Sequence, residues 1–145
     1  MKSLFLLFIF AFFPFLSFGR CPQIEGEYSP GGKGNPYAFL RVKKINCSTF
    51  SIVRGLGDST FTITLGAPEK CEDFVYMNIC YREKYQNANE VVFFFKEVFA
   101  TGGCIREMNY VFNEDKKSLE ISQNENCKRT GIKSLPKINF QKVKE

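Results

Sequence analysis

Six cysteines, Cys21, Cys47, Cys71, Cys80, Cys104 and Cys127, carry the most versatile chemistry in this chain. Thiols can hold a metal, attack an electrophile or pair as disulfides, and their spacing decides among these fates. No two stand in a CxxC or CxxxxC knuckle, the usual frame of a structural zinc site. The chain also has no histidine. That removes Ser-His-Asp and Cys-His catalysis, His-ligated zinc and His-bound haem. An even cysteine count without knuckles therefore reads as three disulfides in a chain meant for an oxidising compartment. No metal, cofactor or catalytic constellation is expected, and the protein is read as a non-enzyme.

The remaining candidates for chemistry have plainer readings. Glu25 and Glu27 share a strand face, and paired carboxylates can cleave glycosides. No third polar group marks a cleft beside them, so they read as a solvated face. Gly31-Gly32-Lys33-Gly34 evokes a phosphate loop, but Asn35-Pro36 follows where Ser or Thr and a helix are required. Asn46-Cys47-Ser48 matches a glycosylation sequon whose middle residue is a bridge cysteine. Lys128, Arg129, Lys133, Lys137, Lys142 and Lys144 make a basic C-terminal stretch. Without a stacking module it reads as a solvated strand face, and nucleic-acid binding is not expected.

Residues 1–19 have the three-part layout of a secretory signal. Lys2 is followed by an apolar run from Leu4 to Leu16, then by small residues at Ser17 and Gly19. The run holds Pro14 and falls short of the ~20 residues that span a bilayer. Arg20 is wrong for lipidation at Cys21. Cleavage after Gly19 leaves residues 20–145, a single domain with no membrane span, and all six cysteines lie inside it. The expected location is the bacterial periplasm or the medium.

Those residues are patterned for strands. Phe61, Ile63 and Leu65 alternate with Thr60, Thr62 and Thr64, the period of a half-buried strand. Ser48–Arg54 precedes it across Gly55-Leu56-Gly57-Asp58, so the two form a hairpin with Phe50 facing Leu65. Phe74–Arg82 and Val91–Ala100 are further aromatic and branched runs. Val91–Phe95 is apolar on both faces, which fits a covered strand or a short buried helix. Glu83–Glu90 is polar and reads as a loop or helical turn. Eight or nine short strands without a long helix predict an antiparallel up-and-down barrel of about eight strands, with a β-sandwich as the alternative.

One hairpin can be placed in register. Centring its turn between Asp115 and Lys116 sets Phe112 opposite Leu119, Tyr110 opposite Ile121 and Arg106 opposite Glu125. Cys104 then falls opposite Cys127, within disulfide reach, and a one-residue slip would spoil every pair. Among the other four cysteines, Cys47–Cys71 is the more natural pair, because both lie just outside the Phe50–Leu65 hairpin. That leaves Cys21–Cys80, which a simple meander sets at opposite ends. Three connectivities stay open.

The segment Cys21-Pro22-Gln23-Ile24-Glu25-Gly26-Glu27-Tyr28 resembles the start of a lipocalin-type (calycin) barrel, with Gly26-x-Tyr28 where that family has Gly-x-Trp. It is also similar to small exported bacterial proteins whose mature chains open Cys-Pro-x-x-x-Gly-x-Tyr. The resemblance implies a barrel with an apolar interior that can take a small ligand. The absence of tryptophan argues against an avidin-like biotin site.

Two functions follow as expectations. In the first, Phe61, Ile63, Leu65 and Tyr110 line an interior that binds a small apolar ligand. In the second, the interior is filled and the protein works through its surface, as an inhibitor, adhesin or envelope component. Of the 17 phenylalanines, all but seven lie beyond the signal, enough to fill a small barrel.

Overall fold

The computed structural model describes residues 21–30, 40–55, 59–87 and 89–144. The signal segment, the Gly31–Gly34 loop and most of the Gly55–Asp58 turn lie outside the described residues.

Among the described residues ten strands follow one another: β1 (Gly26–Pro30), β2 (Leu40–Asn46), β3 (Thr49–Arg54), β4 (Ser59–Thr64), β5 (Lys70–Asp73), β6 (Met77–Gln86), β7 (Glu90–Phe99), β8 (Cys104–Asn113), β9 (Ser118–Cys127) and β10 (Gly131–Lys144). Their hydrogen-bonded order is β4-β3-β2-β1-β10-β9-β8-β7-β6-β5. The sheet is thus an antiparallel meander whose first and last strands pair, cut open between β4 and β5. It curls into a half-barrel that brings β4 against β6. The all-β antiparallel reading holds, with ten strands in place of about eight.

Inward positions are apolar on almost every strand, and that alternation drives the curl. Phe50 and Ile52 on β3, Phe61 and Ile63 on β4, and Val91, Phe93 and Phe95 on β7 all point into one core. Val91–Phe95 is strand, not helix. Val92, on the outer parity, is buried as well and stands opposite Tyr85 and Val111 in register. The polar stretch after Arg82 continues β6 to Gln86, so the loop expected there is shorter. Gly102 and Gly103, both at positive φ, turn β7 into β8. A side chain on Gly103 would also collide with the Lys128 stem.

The β8–β9 register is the one expected, down to Cys104 opposite Cys127. The β3–β4 hairpin is tighter than expected, with Phe50 opposite Ile63 rather than Leu65.

The three bridges are Cys21–Cys47, Cys71–Cys80 and Cys104–Cys127. The pairing Cys47–Cys71 with Cys21–Cys80 is therefore corrected. The reason is β5, a short charged strand without apolar alternation. It adds one traversal, which moves Cys104 and Cys127 to the end opposite Cys47. It also lays Cys71 beside Cys80 in the β5–β6 ladder.

Candidate functional site

Phe61, Ile63 and Tyr110 are buried on the concave face, and Leu65, one residue past β4, packs against the same core. Ile63 also borders a cleft at the seam between β4 and β5, while Phe61 and Tyr110 pack against other rings. The Phe61 ring meets Tyr81 and Phe95 edge-on at 5.1 and 5.3 Å, and Phe95 meets Tyr110 at 4.7 Å. Phe93 reaches Phe112 at 5.6 Å and Phe50 at 6.4 Å, while Phe112 takes Tyr28 edge-on at 5.3 Å. These are ordinary spacings for packed aromatic pairs, so these rings pack directly against one another between the sheet's two halves.

A charged cluster sits at the edge of this core. Glu97, on β7, is the one buried charged residue among the described residues, at 3% exposure. Arg54 Nη2 donates to its Oε1 at 2.9 Å, and Arg106 Nη1 approaches its Oε2 at 3.5 Å. Arg106 also donates through Nη2 to Glu125 at 2.8 Å. The Arg54 guanidinium lies 5.7 Å from the Phe61 and Phe95 ring centres and 5.9 Å from that of Tyr110. Burial works against the Arg54 charge, but Tyr110 and the Glu97 carboxylate outweigh it and raise its pKa. Burial likewise pushes the Tyr110 hydroxyl up. Two cations and two carboxylates leave the cluster neutral. Glu97 is shut off from solvent and engaged on both oxygens, so it has no free face with which to take a proton from a substrate.

The open seam between β4 and β5 offers a second candidate. Thr62, Ile63, Thr64, Pro68, Lys70 and Tyr81 border a cleft of about 320 Å³ there. Tyr81 Oη and Lys70 Nζ both donate to Glu72 Oε1. Those two bonds, Lys70's first, hold the Glu72 carboxyl below the usual range. The bond to Glu72 raises the Lys70 ammonium, and burial raises Tyr81, with its bond to Glu72 adding to the effect. Each group is held in its resting protonation state: the carboxylate ionised, the amine charged, the phenol neutral. The triad braces β5 against β6, and a proton relay would need the reverse tuning.

The chain matches no protein-family model, no curated protein and no solved structure. The site therefore rests on geometry alone. Among the described residues, two clusters bring metal-ligating atoms together, Glu69 with Cys71 and Cys80, and Glu125 with Cys104 and Cys127. In both, the sulfurs are already joined as disulfides and offer no thiolate. Glu27 pairs with Arg41 at 2.7 Å and Glu25 accepts from the Lys44 amide, so the two carboxylates are spent on the surface. Tyr28 is buried and donates to the Ile24 carbonyl at 2.8 Å, which fixes the start of β1.

Two features escaped the sequence reading. Glu97 follows Val91, Phe93 and Phe95 on the inward parity of β7, and a charge at an inward position is a legible flag. Arg54 had no such signal, because only the fold brings it across to β7. The β5–β6 turn was hidden with β5 itself. Its apex, Val75-Tyr76, is exposed at 86% and 71%. Phe74 and Met77 exchange backbone hydrogen bonds below it, and the Cys71–Cys80 bridge staples the strands behind.

Proposed function

We propose that this chain is an exported, non-enzymatic protein that acts through its surface, with a filled interior. One observation carries this reading: the rings of Phe61, Tyr81, Phe95 and Tyr110 interlock where a carrier would keep its ligand space. Three disulfides fit an oxidising location outside the cytoplasm. Among the described residues no helix is long and apolar enough to cross a membrane. A displacement titration with fatty-acid and naphthalene-sulfonate probes tests the reading. No saturable one-to-one binding is expected. Stoichiometric binding lost in Tyr110→Ala would instead make the interior a ligand site.

A second reading, small-ligand binding at the seam, is favoured only by the cleft beside Ile63 and Tyr81. Saturable probe binding that survives Tyr110→Ala and is lost in Ile63→Asp would select it.

A further inference from the structure

We infer that the outer face of β6–β10 is a self-association surface, on which two copies of this chain dock about a two-fold axis. This names the partner behind the surface reading. The mass measurement below can fail while the probe titration above succeeds, or the reverse, so the two ideas fall separately.

The first part of the surface is a knob. Two-residue hairpin turns favour Asn-Gly or Gly-rich pairs, because their backbones suit left-handed conformations. Here the apex is Val75-Tyr76, neither of them at positive φ, and both project into solvent. Local turn chemistry does not call for these residues, and departures of that kind concentrate at functional positions. The apex is also stiff. The Cys71–Cys80 bridge closes the ladder behind it, Asn78 Nδ2 holds Asp73 at 2.8 Å, and Phe74 rests on Phe61. A pre-ordered apolar knob loses little freedom on docking.

The second part is a hole on the same face. Lys96, Ile105, Glu107, Asn124 and Ile132 border a groove of about 320 Å³ across β7–β10. Ile132 is 80% exposed at its rim. Asn78, Val98, Ile105, Asn126 and Ile132 form one row in register, so Val98 lies between the apex hairpin and the groove. Any two spots on one face exchange under a two-fold axis lying in the contact plane through their midpoint. Such an axis near Val98 puts each copy's knob on the other copy's hole, which is the reciprocity of an isologous dimer.

Charge selects the same occupant. Lys96 and Glu107 stand opposite each other on β7 and β8, and among the described residues neither makes an ion pair. Asp73 flanks the apex, exposed. In the two-fold arrangement it meets Lys96 of the second copy. The same acid beside the apex works against an anionic lipid surface.

Sedimentation equilibrium of the oxidised mature protein over a concentration series tests this. The mass should rise to twice the monomer value and stop there. Tyr76→Ser and Ile132→Asp should each weaken association by roughly tenfold or more, the effect of losing an interface anchor. Asp73→Lys should weaken it too, and adding Lys96→Asp should restore it. All these side chains are exposed or at the rim, and unchanged disulfides and circular dichroism would show that the variants fold. A monomer at every concentration overturns the inference, as does mass that climbs past two copies. Dimerisation that responds to Tyr76 but not to Ile132 overturns it as well. So does a monomer that binds phosphatidylcholine vesicles through Tyr76, which would assign the knob to lipid.

Discussion

Glu97 shows what one misplaced-looking side chain does in this core. Its carboxylate is out of water, and the two guanidiniums of Arg54 and Arg106 compensate its lost hydration. Removing one partner of such a pair costs more than the pair contributes, because the survivor stays buried and unpaired. Glu97→Ala should therefore lower unfolding stability by about 3 kcal/mol, the low end for a buried pair because both arginines keep some solvent contact. Urea denaturation measures it. Glu97→Leu with Arg54→Met should recover most of the loss, since apolar groups of similar size avoid the desolvation cost. A second residue-scale outcome concerns tyrosine. Burial raises the pKa values of Tyr28, Tyr81 and Tyr110. The folded state thus keeps protons that the unfolded chain releases near pH ~10. The phenols' contribution is fully present below that pH and is lost as pH rises through their folded-state values. The tyrosinate absorbance of these three phenols, read as the difference from their Phe variants, should accordingly appear together with loss of β-sheet circular dichroism, not before it.

At the scale of elements, the β8–β9 hairpin was readable because its constraints agree locally. Two apolar pairs, an ion pair and a cysteine pair all sit within one turn's reach, and only one register satisfies them. The β2–β6 region was not readable in the same way. Lys70-Cys71-Glu72-Asp73 has the composition of a loop, and becomes strand only because β6 offers an edge and Cys80 a bridge. Missing that one traversal reversed the end assigned to Cys104 and Cys127, and with it the cysteine pairing. The Arg54–Glu97 contact was hidden for a related reason, since it joins strands far apart in sequence that only the curl brings together. Non-reduced peptide mapping should return Cys21–Cys47, Cys71–Cys80 and Cys104–Cys127. Replacing both cysteines of a bridge by serine should cost more for the longer loop: about 3.5 kcal/mol for Cys104–Cys127 against about 2.5 for Cys71–Cys80. Equal losses would mean that Cys71–Cys80 does more than restrict the unfolded chain, for instance by holding the apex rigid in the folded one.

For the whole molecule, the decisive feature is where the sheet fails to close. Consecutive strands β4 and β5 are the two edges, so no backbone ladder joins them. Open edges invite pairing with other chains unless something covers them. Here the cover is side chains. Phe61 of β4 reaches across to Phe74, Tyr81 and Phe95, and its ring carries the Arg54 guanidinium. Behind it the Gly66 amide donates to Glu83 of β6. The seam is thus held largely by one aromatic contact cluster, while strands such as β8 are held by ladders on both sides. Local opening should follow that difference. Amides of β4 and β5 should exchange with solvent well before those of β7, β8 and β9. Phe61→Ala should cost about 3–5 kcal/mol, as for other buried aromatic truncations. It should also speed exchange selectively in β4 and β5. Thr62→Ala, on the exposed side of the same strand, should change stability by no more than about 0.5 kcal/mol. If Phe61→Ala instead accelerated exchange evenly through β7–β9, the seam would not be an independent opening unit. The half-barrel would then unfold as one piece.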